Sequence, residues 1–201
     1  MKTLLGTWAL LLGVAPTLGG PPDPVPLYND LGTHHHAILT KVPKSQQYFD
    51  QGLRLMYAFN PEEARLSFQE AARLDPRCLM CYWGIALAYG PNINVPMDSA
   101  SAVPAYRAAQ RALVLAAKGS PIEAAYAKAL AARYAAARPA DRAPLDSAYA
   151  RAMGALSRRF PADLDAATLF AEAMMDLRPW DQWSADGQPH PGTLEVVATL
   201  E

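Results

Sequence analysis

The chain has almost no run of alternating β-branched residues, and without such runs a sheet-based fold has no strands to build from. It has only 2 cysteines, Cys78 and Cys81, so no disulfide framework holds the fold together. Neither sign of charge is in excess. With 18 Lys and Arg against 19 Asp and Glu, the formal net charge of −1 leaves no electrostatic footprint for a phosphate backbone or an anionic lipid surface. Nucleic acid is therefore not an expected partner. Clustered acids, a nucleophile beside a base and a phosphate-cradling glycine loop are also missing, so no residue is nominated as catalytic and no cofactor is implied. Glu62, Glu63, Glu70 and Glu172 fall on helix surfaces and read as solvated charge or as complements to helix dipoles. The most apolar run, residues 4–14, is too short to span a bilayer with margin.

That run follows a lone Lys2 and precedes small and helix-breaking residues through Gly20. This is the layout of a secretory signal over residues 1–20, with cleavage near Gly19 or Gly20; the competing reading is a buried first helix. No cysteine follows as a lipid attachment point. The expectation is an exported protein, periplasmic or secreted, with no membrane attachment after cleavage. Residues 21–43 read as an extended segment containing proline and histidine, and its opening PPDPVP favours polyproline II geometry. Residues 44–201 read as one helical domain, and an apolar content of 51% is enough to give it a continuous core.

The helical domain is periodic. From Ser45 the pattern runs Tyr48, Gln51, Gly52, Leu55, then Ala64, Phe68, Ala71, then Pro76. A shift of 34 residues from the first set lands on Tyr82, Ile85, Ala86 and Tyr89, the same alternation of large and small residues. Helices are expected over 45–59 and 61–74, the second opened by Asn60-Pro61 with two acids at the positive end of its dipole. A loop over 90–99 interrupts the spacing, and Ala102, Tyr106 and Ala109 resume it 38 residues after Ala64, Phe68 and Ala71, so four residues have been inserted. Alanine-rich helices are expected over 102–118, 121–137 and 142–160, and a further unit begins at Leu164. The final helix begins at Thr193. Its face of Leu194, Val197 and Leu200 has no following helix to cover it, so the chain reads as truncated at its C-terminus or as self-associating through this helix.

The strings YFDQGLRLMYAFN at 48–60, SFQEAARLDPRCLMCYWGIALAYGPNIN at 67–94 and DLDAATLFAEAMMDLRPWDQW at 163–183 resemble a family of exported bacterial tetratricopeptide-repeat proteins. The resemblance covers residues 28–201. It implies an all-α fold of tetratricopeptide-like helical hairpins stacked into an α-solenoid, whose concave surface binds a protein or peptide partner. Members of that family are known as repeat proteins rather than by a reaction, and they are longer, with additional histidines. They carry Asn-His where this chain has Asn60-Pro61, so no role of that histidine transfers here.

Two groups of residues are candidate metal ligands. Cys78 and Cys81 stand at the turn into a helix, and three readings stay open: a local disulfide in an oxidising compartment, packed thiols, or a metal or redox pair. Attachment of c-type haem is disfavoured because Tyr82, not histidine, follows Cys81. In the sequence His34-His35-His36 an extended backbone points His34 and His36 to one side and His35 to the other. If the N-terminal arm folds back, His34, His36, Cys78 and Cys81 make a conceivable zinc or copper site; the plainer reading is an exposed polar loop. Asn92 and Asn94 in the inserted loop read as turn residues or ligand contacts, and Trp180 and Trp183 as core anchors in preference to a binding surface.

Overall fold

The computed structural model describes residues 25–137, 139 and 141–201. The expected signal segment at 1–20, and residues 21–24 of the spacer, lie outside the described residues. The described chain is helical: α1 (Pro43–Tyr57), α2 (Pro61–Leu74), α3 (Leu79–Ala88), α4 (Ala102–Leu115), α5 (Pro121–Ala131), α6 (Ala143–Arg159), α7 (Leu164–Asp176) and α8 (Thr193–Leu200), with no strand among the described residues. Each helix packs on the next, and α3 also touches α1 and α5. None of the helices is long and apolar enough to cross a membrane.

Local chemistry sets the helix boundaries. Proline occupies the first turn of α1, α2, α5 and α6, where its missing N–H costs no hydrogen bond. Ser120 and Glu123 form a reciprocal capping box at the start of α5, and Asp163 accepts from Ala166 N at the start of α7. α1 stops at Tyr57, two residues short of the expected end. There Phe59 takes a left-handed conformation (φ 55°) and Asn60 N donates to Leu55 O, closing the helix in the manner usually served by glycine. α5 ends at Ala131 rather than 137 as two side chains just beyond it turn inward: Arg133 reaches Asp176, and the Tyr134 hydroxyl donates to Ala86 O at 2.6 Å.

The core centres on α3, which is buried nearly all round. Trp83 packs against Phe49 and Tyr126, and Phe49 against Phe68. The Phe68 ring is held between Gly52 of α1 and Gly84 of α3; a Cβ at position 52 would lie 2.6 Å from the ring. Ala86, the residue 34 positions after Gly52, is fully buried. Replacing Gly52 or Ala86 with leucine should therefore cost about 1–3 kcal/mol through overpacking. Urea midpoints left unchanged in both variants would contradict this packing. At the other end α8 rests on α7 through Val196 and Thr193, while Leu194, Val197 and Leu200 face outward.

Candidate functional site

Residues 25–42 form no helix; they run along α1, whose side chains hold their backbone. Gln51 accepts from Tyr28 N and donates to Pro26 O. Gln46 donates to His36 O and accepts from Ile38 N, Arg54 donates to His34 O, and Asp50 accepts from His36 N. Beyond α1, Leu39 N donates to Glu123 of α5 and the Thr40 hydroxyl to Asp75. The segment is thus a strap tied by its main chain.

The strap delivers the three histidines with the alternation an extended backbone dictates. His34 Nε2 lies 3.0 Å and His36 Nδ1 2.6 Å from the carboxylate of Asp165, while His35 turns away to Asp50 at 2.7 Å. Asp165 stands in the first turn of α7 beside Asp163, and the Tyr57 hydroxyl donates to it at 2.5 Å. One donor atom each from His36, Asp163 and Asp165 lies within 4.8 Å of the others. Burial opposes a charged His36 ring, yet the hydrogen bond and charge of Asp165, with Asp163 and Asp50 behind it, hold the imidazole above its ordinary pKa. Asp165 answers in kind: burial would raise it, but His36, Tyr57 and His34 hold it below the usual carboxylate range. The Tyr126 hydroxyl faces Asp163 from the core side but completes no hydrogen bond. Outside the cluster a cleft of about 680 Å³ opens between the strap and the α6–α7 turn.

The cysteines are elsewhere. Cys78 and Cys81 are buried and joined to each other in a disulfide at the start of α3, so neither offers a thiol to a metal. The set His34, His36, Cys78 and Cys81 is therefore not assembled: the histidines meet an acid that sequence distance concealed. The disulfide closes so short a loop that its removal should matter little, well under the roughly 3 kcal/mol that chain entropy assigns to closing a 15-residue loop. Urea unfolding of the Cys78→Ser/Cys81→Ser protein checks this, and a loss as large as that figure would contradict it.

A second polar cluster lies where α5 ends. Arg133, only 1% exposed, pairs with Asp176 at 2.5 Å and stacks over the Tyr149 ring. Arg142 donates to Asp146 and to Arg133 O. Even so, Asp176 Oδ1, Arg142 Nε and the Tyr149 hydroxyl are buried without hydrogen-bond partners, and Arg133 Nε has only the longer ion pair to Asp146 at 3.6 Å. Glu172, expected on a solvated surface, instead sits against this cluster. Burial, with repulsion from Asp176, pushes it up to about 7 despite Arg133. Arg142, Asp146 and Asp176 line a cleft of about 370 Å³ between the inserted 90–98 loop and the chain after α7, with Trp180 on its rim. Trp180 and Trp183 are exposed rather than core anchors, because the chain leaves α7 and Trp180 takes a positive φ of 60°. Asn92 is a turn residue that accepts from Asn94 N and Val95 N, and both asparagines help line the cleft. No sequence signal short of the tertiary contact marks Arg133 or Asp176 as members of this site.

Comparison with family models, with curated proteins and with solved structures yields no match.

Proposed function

We propose that the chain is a tetratricopeptide-like scaffold of the cell envelope that binds an extended peptide of a partner protein in the cleft between the 90–98 loop and the chain after α7. The observation that carries the reading is the cleft itself, in which the polar side chains of Asn92, Asn94, Arg142 and Asp146 stand opposite the exposed ring of Trp180. A peptide backbone offers N–H groups to the partly exposed Asp146 carboxylate and carbonyls to the Arg142 guanidinium. Trp180 and Pro179 on the rim offer a flat apolar wall for a side chain of the peptide. The hold of α1 on the strap is the same mode of recognition within one chain, side chains reading main-chain groups. The 34-residue register supports the repeat assignment, and the apolar leader with the disulfide supports an exported location.

Selection of a displayed library of extended peptides against the purified protein tests the proposal. Enriched peptides should share a motif and lose at least about tenfold in affinity with Trp180→Ala, whose exposed side chain contributes little to stability. Failure to enrich, or peptides indifferent to Trp180, would overturn it.

A further inference from the structure

Two directions of the chain meet at the start of α7, where the strap brings imidazoles and the helix brings carboxylates. Among the described residues neither Asp163 nor Asp165 is paired with a lysine or arginine; Asp165 has only histidines as charged partners. We propose that His36, Asp163 and Asp165 bind a divalent metal ion of the zinc class, with His34 as the fourth protein ligand.

The donor atoms lie within 4.8 Å of one another, and ligands around tetrahedral zinc stand about 3.3 Å apart, as bond lengths near 2.0 Å require. The widest pair would have to close by about 1.5 Å, within the reach of side-chain rotation. His34 Nε2 already sits 3.0 Å from Asp165, which places a second nitrogen at the edge of the set. Supporting bonds hold the ligands as metal sites require: Tyr57 donates to Asp165, Ala166 N to Asp163, and Asp50 accepts from His36 N.

Tyr126 is an independent pointer. The residue is 1% exposed and its hydroxyl faces Asp163 without reaching good hydrogen-bond geometry, a contact that a repositioned carboxylate or a metal-bound water would complete. The α7 N-terminus works against a cation, but its partial charge of about +0.5 is small beside two carboxylates. Imidazole with carboxylate selects borderline cations such as zinc over magnesium or calcium, which favour oxygen ligands alone. The 680 Å³ cleft outside the cluster gives the ion an entry path.

The test is calorimetric titration of ZnCl2 into the tag-free, chelator-stripped full chain, with its disulfide intact. One zinc ion per chain is expected, with no heat from MgCl2. His36→Gln and Asp165→Asn should each weaken zinc binding at least about tenfold, while His35→Gln, whose ring turns to Asp50, should bind as wild type does. Because Asp165→Asn also loosens the strap, Co2+ replaces zinc in a second measurement on the wild type and His36→Gln. Absorption typical of four-coordinate cobalt in the wild type, lost in the variant, supports the site. Absence of zinc uptake, equal weakening by His35→Gln, unchanged affinity in His36→Gln, or magnesium binding as tight as zinc would each overturn it.

Discussion

Arg133→Met should destabilise the protein by about 3–5 kcal/mol, because removing one partner of a buried ion pair strands the other. The guanidinium is the only base that pairs with Asp176 among the described residues, and it also lies beside Asp146 and over Tyr149. Without it, Asp176 and Glu172 are two acids sharing one desolvated pocket. A loss of that size is a large part of the roughly 5–15 kcal/mol available to a typical domain. The double variant Arg133→Met/Asp176→Leu separates the pair's net worth from the penalty of breaking it. Replacing both ions with apolar groups should recover most of the loss in urea unfolding. If the single variant loses under about 1 kcal/mol, the pair is not what holds the end of α5 against α7.

Glu172→Gln should make stability far less sensitive to pH. The folded chain holds this carboxyl protonated up to about pH 7, whereas in the unfolded chain it ionises near about 4.3. A folded pKa above the unfolded one gives a contribution fully present below about pH 4.3 and lost as pH rises through 7. Glutamine cannot ionise. From about pH 5 to pH 8 the difference in unfolding free energy should therefore shift in the variant's favour by about 2–3 kcal/mol. Asp176, also raised by burial, leaves a residual slope of the same sign. Parallel stability profiles for the two proteins across that range would show that Glu172 titrates as a solvated acid.

The helical elements were legible because their signals are local. Asn60-Pro61 and Ser120-Pro121 declare helix starts through the chemistry of two or three residues, and α2 and α5 begin where those residues place them, as α7 begins at the expected Leu164. The alternation of His34, His35 and His36 was legible for the same reason, since it follows from the backbone alone. Their partner was not. Asp165 lies 129 residues from His36, and its sequence context reads only as the acidic first turn of a helix. Arg133 looked like one more polar residue in an alanine-rich helix; its burial depends on Asp176, which is 43 residues away. Trp180 misled in the opposite sense, because a large aromatic residue suggests a core and only the turn after α7 turns it outward.

The strap alters how the molecule comes apart. In an array whose helical pairs touch only their neighbours, the ends can melt independently and cooperativity decays with distance. Here one extended segment is bound at once to α1, to Glu123 of α5 and to Asp165 of α7, so three helices that do not follow one another in the chain share a common tie, reinforced by the direct Tyr57–Asp165 bond. Opening α7 breaks bonds that also steady α1, and the free energy of local opening at one end is coupled to that at the other. The strap thus ties both ends of the helical set to one segment, and amide exchange should show α7 opening together with α1 rather than fraying on its own.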